Sequence, residues 1–207
     1  MMKGKPMKKV LIAAAVATLA AGSVAAQESP WLVRARAVHA HWMNQQSDSL
    51  AANFGLKAQD QTIPEVDITY FFNKNVAAEL ILSVPQKADV TNNGSALGTF
   101  KYLPPTLTLQ YHFTNFNGFK PYLGAGVNYT KITGVNLGSG AYGLDNHSYG
   151  AALQAGVDIP LDKQWSLNLD VKKVYIRSDV YDTSNGASAG TLKLDPVLFG
   201  VGVGYRF

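Results

Sequence analysis

The sequence of 207 residues contains no cysteine. Disulfide bonds, thiolate catalysis and cysteine-ligated metal sites are therefore excluded. Long hydrophobic runs are scarce as well: beyond residue 26, no segment approaches the roughly 18 consecutive apolar residues that a membrane-spanning helix needs. A transmembrane β-barrel remains compatible with this pattern, because only every second residue of its strands faces lipid.

An excess of positive charge is also missing once the N-terminal segment is set aside. Residues 1–26 contain four lysines within the first nine positions, then an apolar run at 10–21, and end in Ser-Val-Ala-Ala at 23–26. This layout is typical of a secretory signal peptide. We predict cleavage after Ala26, with Ala25 as the alternative, and one barrel domain over 27–207. The full chain has 18 basic and 14 acidic residues, so removing four lysines leaves 14 of each, which argues against nucleic-acid binding.

What the sequence does contain is a repeated alternation of apolar and polar residues with a period of two. Residues 65–72 read Glu-Val-Asp-Ile-Thr-Tyr-Phe-Phe, which places valine, isoleucine, tyrosine and phenylalanine on one face of a strand. Similar segments lie at 31–42, 77–84, 106–113, 122–130, 148–159, 165–172 and 197–207. The pattern therefore predicts eight strands.

The links between these strands alternate in length. Short turns fall near 73–75, 114–119 and 160–164, and longer links fall near 44–61, 86–98, 132–147 and 179–191. Short periplasmic turns and long extracellular loops are typical of outer-membrane barrels. We predict an all-β protein: an eight-stranded antiparallel transmembrane β-barrel with a cleaved N-terminal signal peptide and periplasmic termini.

Periodicity alone does not tell which face of the barrel is inside, and a soluble lipocalin-like barrel would bury its apolar face. Aromatic residues at the strand ends, with acidic and amide residues on the opposite face, favour lipid outside. In the first strand, Arg34 and Arg36 suit the inner face. His39 and His41 continue the outer phase, so we expect them at or beyond the membrane rim. Lys173 also has the outer phase, and we expect it near the headgroups, where a lysine can snorkel.

Charged and amide side chains share the inward phase of the predicted strands. We interpret them as a network of ion pairs that fills the lower lumen, because ions in a narrow barrel need partners. A charged lining for an aqueous solute path is the alternative. The predicted members are Arg34, Arg36, Glu65, Asp67, Glu79, Gln110, Gln154, Asp158, Asp170, Lys172 and Arg206. Glycines of the same phase, such as Gly156 and Gly200, provide either room or close packing there.

Catalytic, cofactor and metal sites find little support in the sequence. His39 and His41 could share one side of a strand, but a metal site needs three or four ligands and no partner cluster is visible. His147 and Ser148 are adjacent, so on a strand they point to opposite faces and do not form a nucleophile pair. The glycines of 200–204 alternate within a strand, whereas a phosphate-binding loop opens a helix. We expect no enzyme activity, cofactor or metal.

Several of these segments resemble the OmpW family of outer-membrane proteins. The matching residues are 103–107 with Gln110 and Phe113, 120–130, 150–158 with Trp165 and Asn168, 193–196, and 204–207. The resemblance implies a barrel in the bacterial outer membrane with a narrow, largely hydrophobic channel. It also implies passive uptake of small hydrophobic molecules, with lateral release through the barrel wall among the routes proposed for the family. The sequence departs from the family pattern at 172–173 and 197–198.

Two functions are consistent with these observations. The first is a channel for passive uptake of small hydrophobic molecules, and the second is a structural or adhesive barrel that acts through its surface loops. Candidate residues for a hydrophobic funnel are Ala88, Val90, Leu97, Phe100, Tyr102 and Leu103. Expected partners are outer-membrane lipid, small hydrophobic ligands and the barrel assembly machinery, the last through the C-terminal strand that ends in Phe207.

Overall fold

The computed structural model describes residues 29–43, 45–46 and 56–207, so the predicted signal peptide lies outside the described residues. The described residues form fifteen β segments and one 3-10 turn at Gly138–Gly140. The segments are β1 (Trp31–His41), β2 (Gln45–Gln46), β3 (Leu56–Ala58), β4 (Gln61–Phe71), β5 (Val76–Ser83), β6 (Gln86–Asn92), β7 (Ser95–Leu103), β8 (Thr106–His112), β9 (Lys120–Leu137), β10 (Tyr142–Leu144), β11 (His147–Pro160), β12 (Trp165–Val174), β13 (Arg177–Asp182), β14 (Ser188–Lys193) and β15 (Val197–Arg206). No helix in this part of the chain has the length and apolar character to cross a membrane.

Eight strands close into an antiparallel ring. They pair in the order β1, β4, β5, β8, β9, β11, β12 and β15, and β15 returns to pair with β1. Unpaired backbone groups cost several kcal/mol each in hydrocarbon, so closure is what a sheet surrounded by lipid requires. The predicted eight-stranded antiparallel barrel is confirmed.

The outer surface of the ring is apolar. Leu109, Val127 and Phe199 are each at least half exposed. Gln110 and Asn128, which directly follow Leu109 and Val127, are buried inside. Aromatic rings contact one another in pairs near both ends of the strands. Such pairs are Trp31 with Tyr70, Trp165 with Tyr205, and Tyr129 with Tyr149. An apolar band between two aromatic girdles is the lipid-facing surface of an outer-membrane barrel, and it excludes the lipocalin-like alternative.

The barrel wall continues above this band, where the sequence predicts loops. Three of the predicted links are largely strands, because β6 pairs with β7, β9 continues to Leu137 and pairs with β10, and β13 pairs with β14. The β6–β7 hairpin turns at Asn93 and Gly94, whose φ angles are 47° and 85°, as a two-residue Asn-Gly hairpin turn requires. The prediction of loops at 86–98, 132–147 and 179–191 is therefore wrong. A register shift between Val90 and Thr91 interrupts the period of two, which conceals the strand in the sequence.

The interior changes from polar to apolar along the strands. On β9 the inward residues Asn128 and Thr130 are followed by Ile132, and on β12 Lys172 is followed by Val174. The upper interior holds a buried apolar cluster. Its largest members are Trp42, Phe100, Tyr102, Ile132, Leu137, Leu144, Ile176, Leu192 and Leu194. The lumen therefore has a polar lower half and an apolar upper half.

Candidate functional site

Arg34 forms the centre of the polar lower lumen. Its side chain is fully buried, and its Nε and Nη2 atoms donate to the two carboxylate oxygens of Asp158 at 3.0 and 2.7 Å. Nη1 donates to Thr69 at 2.8 Å, to Asp67 at 3.1 Å and to Glu79 at 3.2 Å. One guanidinium thus joins β1, β4, β5 and β11. Planar, fork-shaped donors of this kind suit bidentate carboxylate recognition.

Arg36 lies two residues further along β1 and extends the same network upward. Its Nη2 donates to Asp67 at 2.5 Å and to Glu79 at 2.9 Å. Its Nε lies 2.9 Å from Glu65 Oε1, and its Nη1 donates to Asn168 at 3.1 Å. Asp67 and Glu79 therefore each contact both arginines. Sharing of this kind neutralises buried carboxylates that would otherwise carry a large desolvation cost.

Lys172 and Asp170 on β12 complete the charged cluster. The Lys172 ammonium lies 2.7 Å from Glu65 and 2.9 Å from Asp170. The second oxygen of Asp170 accepts from the Tyr122 hydroxyl at 2.8 Å and from Gln154 at 2.8 Å. Because Lys172 faces the apolar half, the Glu65–Lys172 pair forms the upper boundary of the network.

Amide side chains satisfy the remaining acceptor atoms of the network. Glu79 Oε2 accepts from the amide nitrogens of Gln110 and Gln154, both at 2.8 Å, and from the Thr108 hydroxyl at 3.3 Å. Polar groups buried in a low dielectric stabilise a structure only when their hydrogen bonds are made. The network therefore fills the lower barrel with paired charges and hydrogen-bonded amides, and we use the name polar plug for it below.

The structure brings together ten of the eleven residues predicted for this network. Arg206 instead lies towards the end of the barrel that carries Ser29 and Phe207, where its Nε donates to the Ser29 carbonyl at 2.8 Å and its guanidinium stacks 4.4 Å above the Phe71 ring. Sequence reasoning did not nominate several residues that also contact the plug. These are Thr69, Thr108, His112, Tyr122 and Asn168. The sequence did contain a signal for these residues, since all five have the inward phase of their strands.

The glycine residues of β15 make space for the two arginines. A Cβ atom at Gly204 would lie 3.2 Å from Arg34 Cγ, and one at Gly200 would lie 3.4 Å from Arg36 Cδ. At Gly156 on β11, a Cβ would overlap the Tyr122 hydroxyl. The sequence left open whether these glycines provide room or close packing, and the structure shows close packing around the plug.

A cavity lies directly above the polar plug. The cavity is small, with an enclosed volume of about 30 Å³, and it opens at a mouth. Glu65 and Lys172 line it on the side of the plug. The other lining residues are mostly apolar: Ala40, Trp42, Ile63, Ile81, Ser83, Tyr102, Pro104, Thr106, Asn128, Val174, Ile176, Pro196 and Leu198. A concave, mostly apolar site with a few polar groups is the usual form of a small-molecule site.

The residues predicted for a hydrophobic funnel divide into two groups. Ala88, Val90, Phe100 and Tyr102 are buried in the upper apolar cluster, and Leu97 packs against it. Of these, Tyr102 lines the cavity, and its hydroxyl accepts a hydrogen bond of 2.6 Å from Gln61. The prediction for Leu103 is wrong. It follows the inward-facing Tyr102 on β7, and adjacent strand residues point to opposite faces.

The barrel wall is interrupted beside this cavity. The ladder between β4 and β5 ends at the pair of Glu65 and Ser83, and the ladder between β5 and β8 ends at Ile81 and Thr106. Pairing resumes higher up, between β6 and β7. In the described part of the chain, residues 84–85 belong to neither ladder. We call this interruption the wall gap.

Proline residues lie on both sides of the wall gap. Pro85 lies within it, Pro64 lies on β4, and Pro104 and Pro105 separate β7 from β8. Proline has no N–H group to donate to a ladder, which confines it to edges and irregular positions of sheets. The side chain of Val84 is 55% exposed at this point. These prolines thus prevent the strands from hydrogen-bonding to one another at the wall gap.

The two histidines of β1 lie exposed above the lipid-facing band. His41 Nδ1 lies 2.6 Å from a carboxylate oxygen of Asp60, and His39 Nδ1 lies 3.3 Å from the Thr62 hydroxyl. Desolvation acts to raise the pKa of the Asp60 carboxyl. The pKa nevertheless lies below its usual value, because the backbone N–H of Trp42 and the His41 side chain both hydrogen-bond to the carboxylate. Within the described ranges, no group of three or more His, Asp or Glu side chains could hold a metal ion.

Lys173 occupies the outward phase of β12, as the sequence predicts. Its ammonium donates to the Asp195 carbonyl oxygen at 2.5 Å and lies 5.8 Å from the centre of the Tyr175 ring. The charge is therefore drawn upward along the wall, away from the lipid-facing band.

These features together define a class of protein. A closed antiparallel ring with an apolar exterior, two aromatic girdles and a polar interior is an outer-membrane β-barrel, because such a surface is stable only in lipid.

Comparison with known proteins identifies the family. The model of the OmpW family matches residues 20–207, and the chain belongs to this family. An outer-membrane protein of Sinorhizobium fredii called y4mB is 44% identical over 190 residues, covering 89% of this chain and 82% of the relative. The dibenzothiophene metabolism operon protein PahQ of Pseudomonas aeruginosa is 31% identical over 158 residues, covering 72% of this chain and 74% of the relative.

A solved structure supports the same assignment. The NMR structure of the Escherichia coli outer membrane protein W superimposes with a TM-score of 0.60 and 26% sequence identity, covering 88% of this chain and all of the other. The predictions of an OmpW-type barrel and of an outer-membrane location are therefore confirmed.

Proposed function

We propose that this protein takes up small hydrophobic molecules passively across the outer membrane. The observation that carries this proposal is the apolar cavity, which lies between the buried apolar cluster above and the polar plug below. An apolar compound gains free energy by leaving water for such a site, by about 25 cal/mol per Å² of surface buried. The name of the relative PahQ associates that protein with dibenzothiophene metabolism, which supports an apolar ligand here.

The route out of the cavity runs sideways in this proposal. The plug beneath the cavity is filled by hydrogen-bonded ions, for example the pair of Glu65 and Lys172 at 2.7 Å, so an apolar molecule has no favourable axial path. The wall gap at residues 84–85 lies beside the cavity, since Ile63 and Ser83 line the cavity on one side of it and Pro104 on the other. A ligand that leaves there enters the lipid without crossing the plug.

A pair of alanine variants tests the role of the cavity. Ala40 is 1% exposed and lines the cavity, whereas Ala37, on the same strand, faces outward. Ala40→Phe is expected to fill the cavity and to reduce uptake of a fluorescent aromatic tracer by cells to the level of the deletion strain. Ala37→Phe adds the same ring on the lipid side and is expected to retain uptake.

The outcome separates the two functions that the sequence left open. Equal uptake by the deletion strain and by cells with the intact protein would contradict the proposal and favour a structural or adhesive role. Retained uptake by Ala40→Phe would show that transport does not use the cavity. Migration of folded and heated samples on a gel verifies that both variants form barrels.

The proposed partners follow from the same surface. Outer-membrane lipid covers the apolar band, and the barrel assembly machinery is proposed to recognise β15 with its terminal aromatic residues. Tyr205 and Phe207 form an edge-to-face pair with ring centres 5.1 Å apart. The role proposed here is transport and not catalysis.

A further inference from the structure

A row of basic side chains, made of three charged lysines and a histidine, lies on one side of the outer surface, just above the lipid-facing band. Lys87 on β6 is directly opposite Lys101 on β7, and Lys131 on β9 is directly opposite His147 on β11. Lys101 and Lys131 are diagonal neighbours, because Lys131 pairs with Leu103. All four side chains are exposed. We call these four residues the cationic row.

The row lies at the height of the upper aromatic girdle. Tyr129 is two residues below Lys131 on β9, and Tyr149 is two residues below His147 on β11. The two tyrosine rings contact each other with centres 5.1 Å apart, and His147 contacts Tyr149 at 5.7 Å. Tyrosines of a girdle lie at the boundary between hydrocarbon and headgroups. The cationic row therefore lies in the headgroup layer of the outer leaflet.

This arrangement is unfavourable without an external anion. Like charges directly opposite each other on neighbouring strands destabilise a sheet. Lys87 has an exposed partner in Asp89 at 3.3 Å, but among the described residues Lys101 and Lys131 make no ion pair. Asp89 follows Lys87 by two residues on β6, and Asp145 precedes His147 by two residues in the link between β10 and β11, so both outward acids lie further from the membrane than the row. Among the described residues of these strands, no acid thus lies between the row and the lipid below.

We propose that the cationic row binds the phosphate groups of the phosphorylated glycolipid that forms the outer leaflet. Lysine ammonium groups near an anionic lipid surface contribute about 1 kcal/mol each, and lysine binds phosphate as a point charge. The tyrosines below the row contact the acyl chains and sugar of the same lipid. This site is separate from the cavity and does not depend on the uptake function.

The test compares two double variants with the same change in charge. Lys101→Gln/Lys131→Gln removes the centre of the row, and Lys74→Gln/Lys163→Gln removes two exposed lysines at the periplasmic turns. Native mass spectrometry of the protein in zwitterionic detergent measures binding of lipid A with both phosphates and of the same lipid after enzymatic dephosphorylation. The first variant is expected to bind phosphorylated lipid A about 30-fold more weakly than the unmodified protein, and the second equally well.

Three results would overturn the proposal. They are equal binding of dephosphorylated lipid A, equal behaviour of the two double variants, and displacement of lipid A by inorganic phosphate at the same concentration, which would indicate a site for free anions. Thermal unfolding provides a second readout. Phosphorylated lipid A is expected to raise the Tm of the unmodified protein but not that of Lys101→Gln/Lys131→Gln, whose stability without lipid is unchanged or higher.

Discussion

Replacement of Arg34 by methionine tests whether the polar plug holds the barrel together. Methionine retains apolar length but removes the guanidinium, so Asp158, Asp67 and Glu79 lose contacts of 2.7, 3.1 and 3.2 Å. Removing one partner of a buried ion pair costs about 3–5 kcal/mol, because the other charge stays buried without compensation. We expect the free energy of unfolding of Arg34→Met to fall by this amount.

The assay is equilibrium unfolding in urea of protein refolded into detergent micelles, followed by tryptophan fluorescence. Arg177→Met is the matched control, because the Arg177 side chain is 56% exposed and 3.7 Å from Asp195; its expected cost is below about 1 kcal/mol. The double variant Arg34→Met/Asp158→Leu removes one stranded carboxylate, so we expect it to recover about 1–2 kcal/mol. A loss for Arg34→Met no larger than that for Arg177→Met would refute the reasoning.

Two further predictions concern a pair of glycines and a periplasmic turn. Gly156→Ala is expected to lower the free energy of unfolding by about 1–3 kcal/mol, because its Cβ overlaps the Tyr122 hydroxyl. Gly200→Ala meets only ordinary contacts of 3.4–3.6 Å, so a similar loss in both variants would contradict this reasoning. Two backbone N–H groups of the turn before β12 donate to Asp162 at 2.7 and 2.8 Å and hold its pKa below the usual 3.8. The stabilisation is therefore complete above about pH 3.8 and lost as the pH falls through the lowered pKa. Hydrogen exchange of the turn should show this loss in the unmodified protein and no pH step in Asp162→Asn.

Much of the lower barrel is predictable from the sequence, because the direction of a strand side chain depends only on whether its position is odd or even. Arg34, Asp67 and Glu79 share the polar phase of strands whose other face is mostly apolar, so their phase alone places them inside. The identity of their partners is less accessible. Tyr122 has the same phase, but its bond to Asp170 depends on the relative height of β9 and β12, which is set by strand register and not by composition.

The upper barrel is harder to predict for a different reason. Val90 and Thr91 lie at a register shift, and the segment around them contains Asn, Gly and Ser, which are typical of loops. The strands there are stabilised by pairing with segments distant in sequence and by the apolar cluster. Neither contribution is visible in a short stretch of sequence. The wall gap is hard to predict for the same reason, because it is the place where β5 stops pairing with β4 and with β8.

The glycine face of β15 has a consequence for how the cylinder forms. β15 is the last strand of the chain and closes the seam against β1, yet at Gly200, Gly202 and Gly204 it brings no side chain towards the axis. The ion pairs between Arg34 and Asp158 and between Lys172 and Glu65 therefore join the strands on the two sides of β15 without a side chain of these glycines between them. Ring closure and charge pairing are thus coupled, because carboxylates of β11 and β4 meet their cationic partners on β1 and β12 only when the seam is shut.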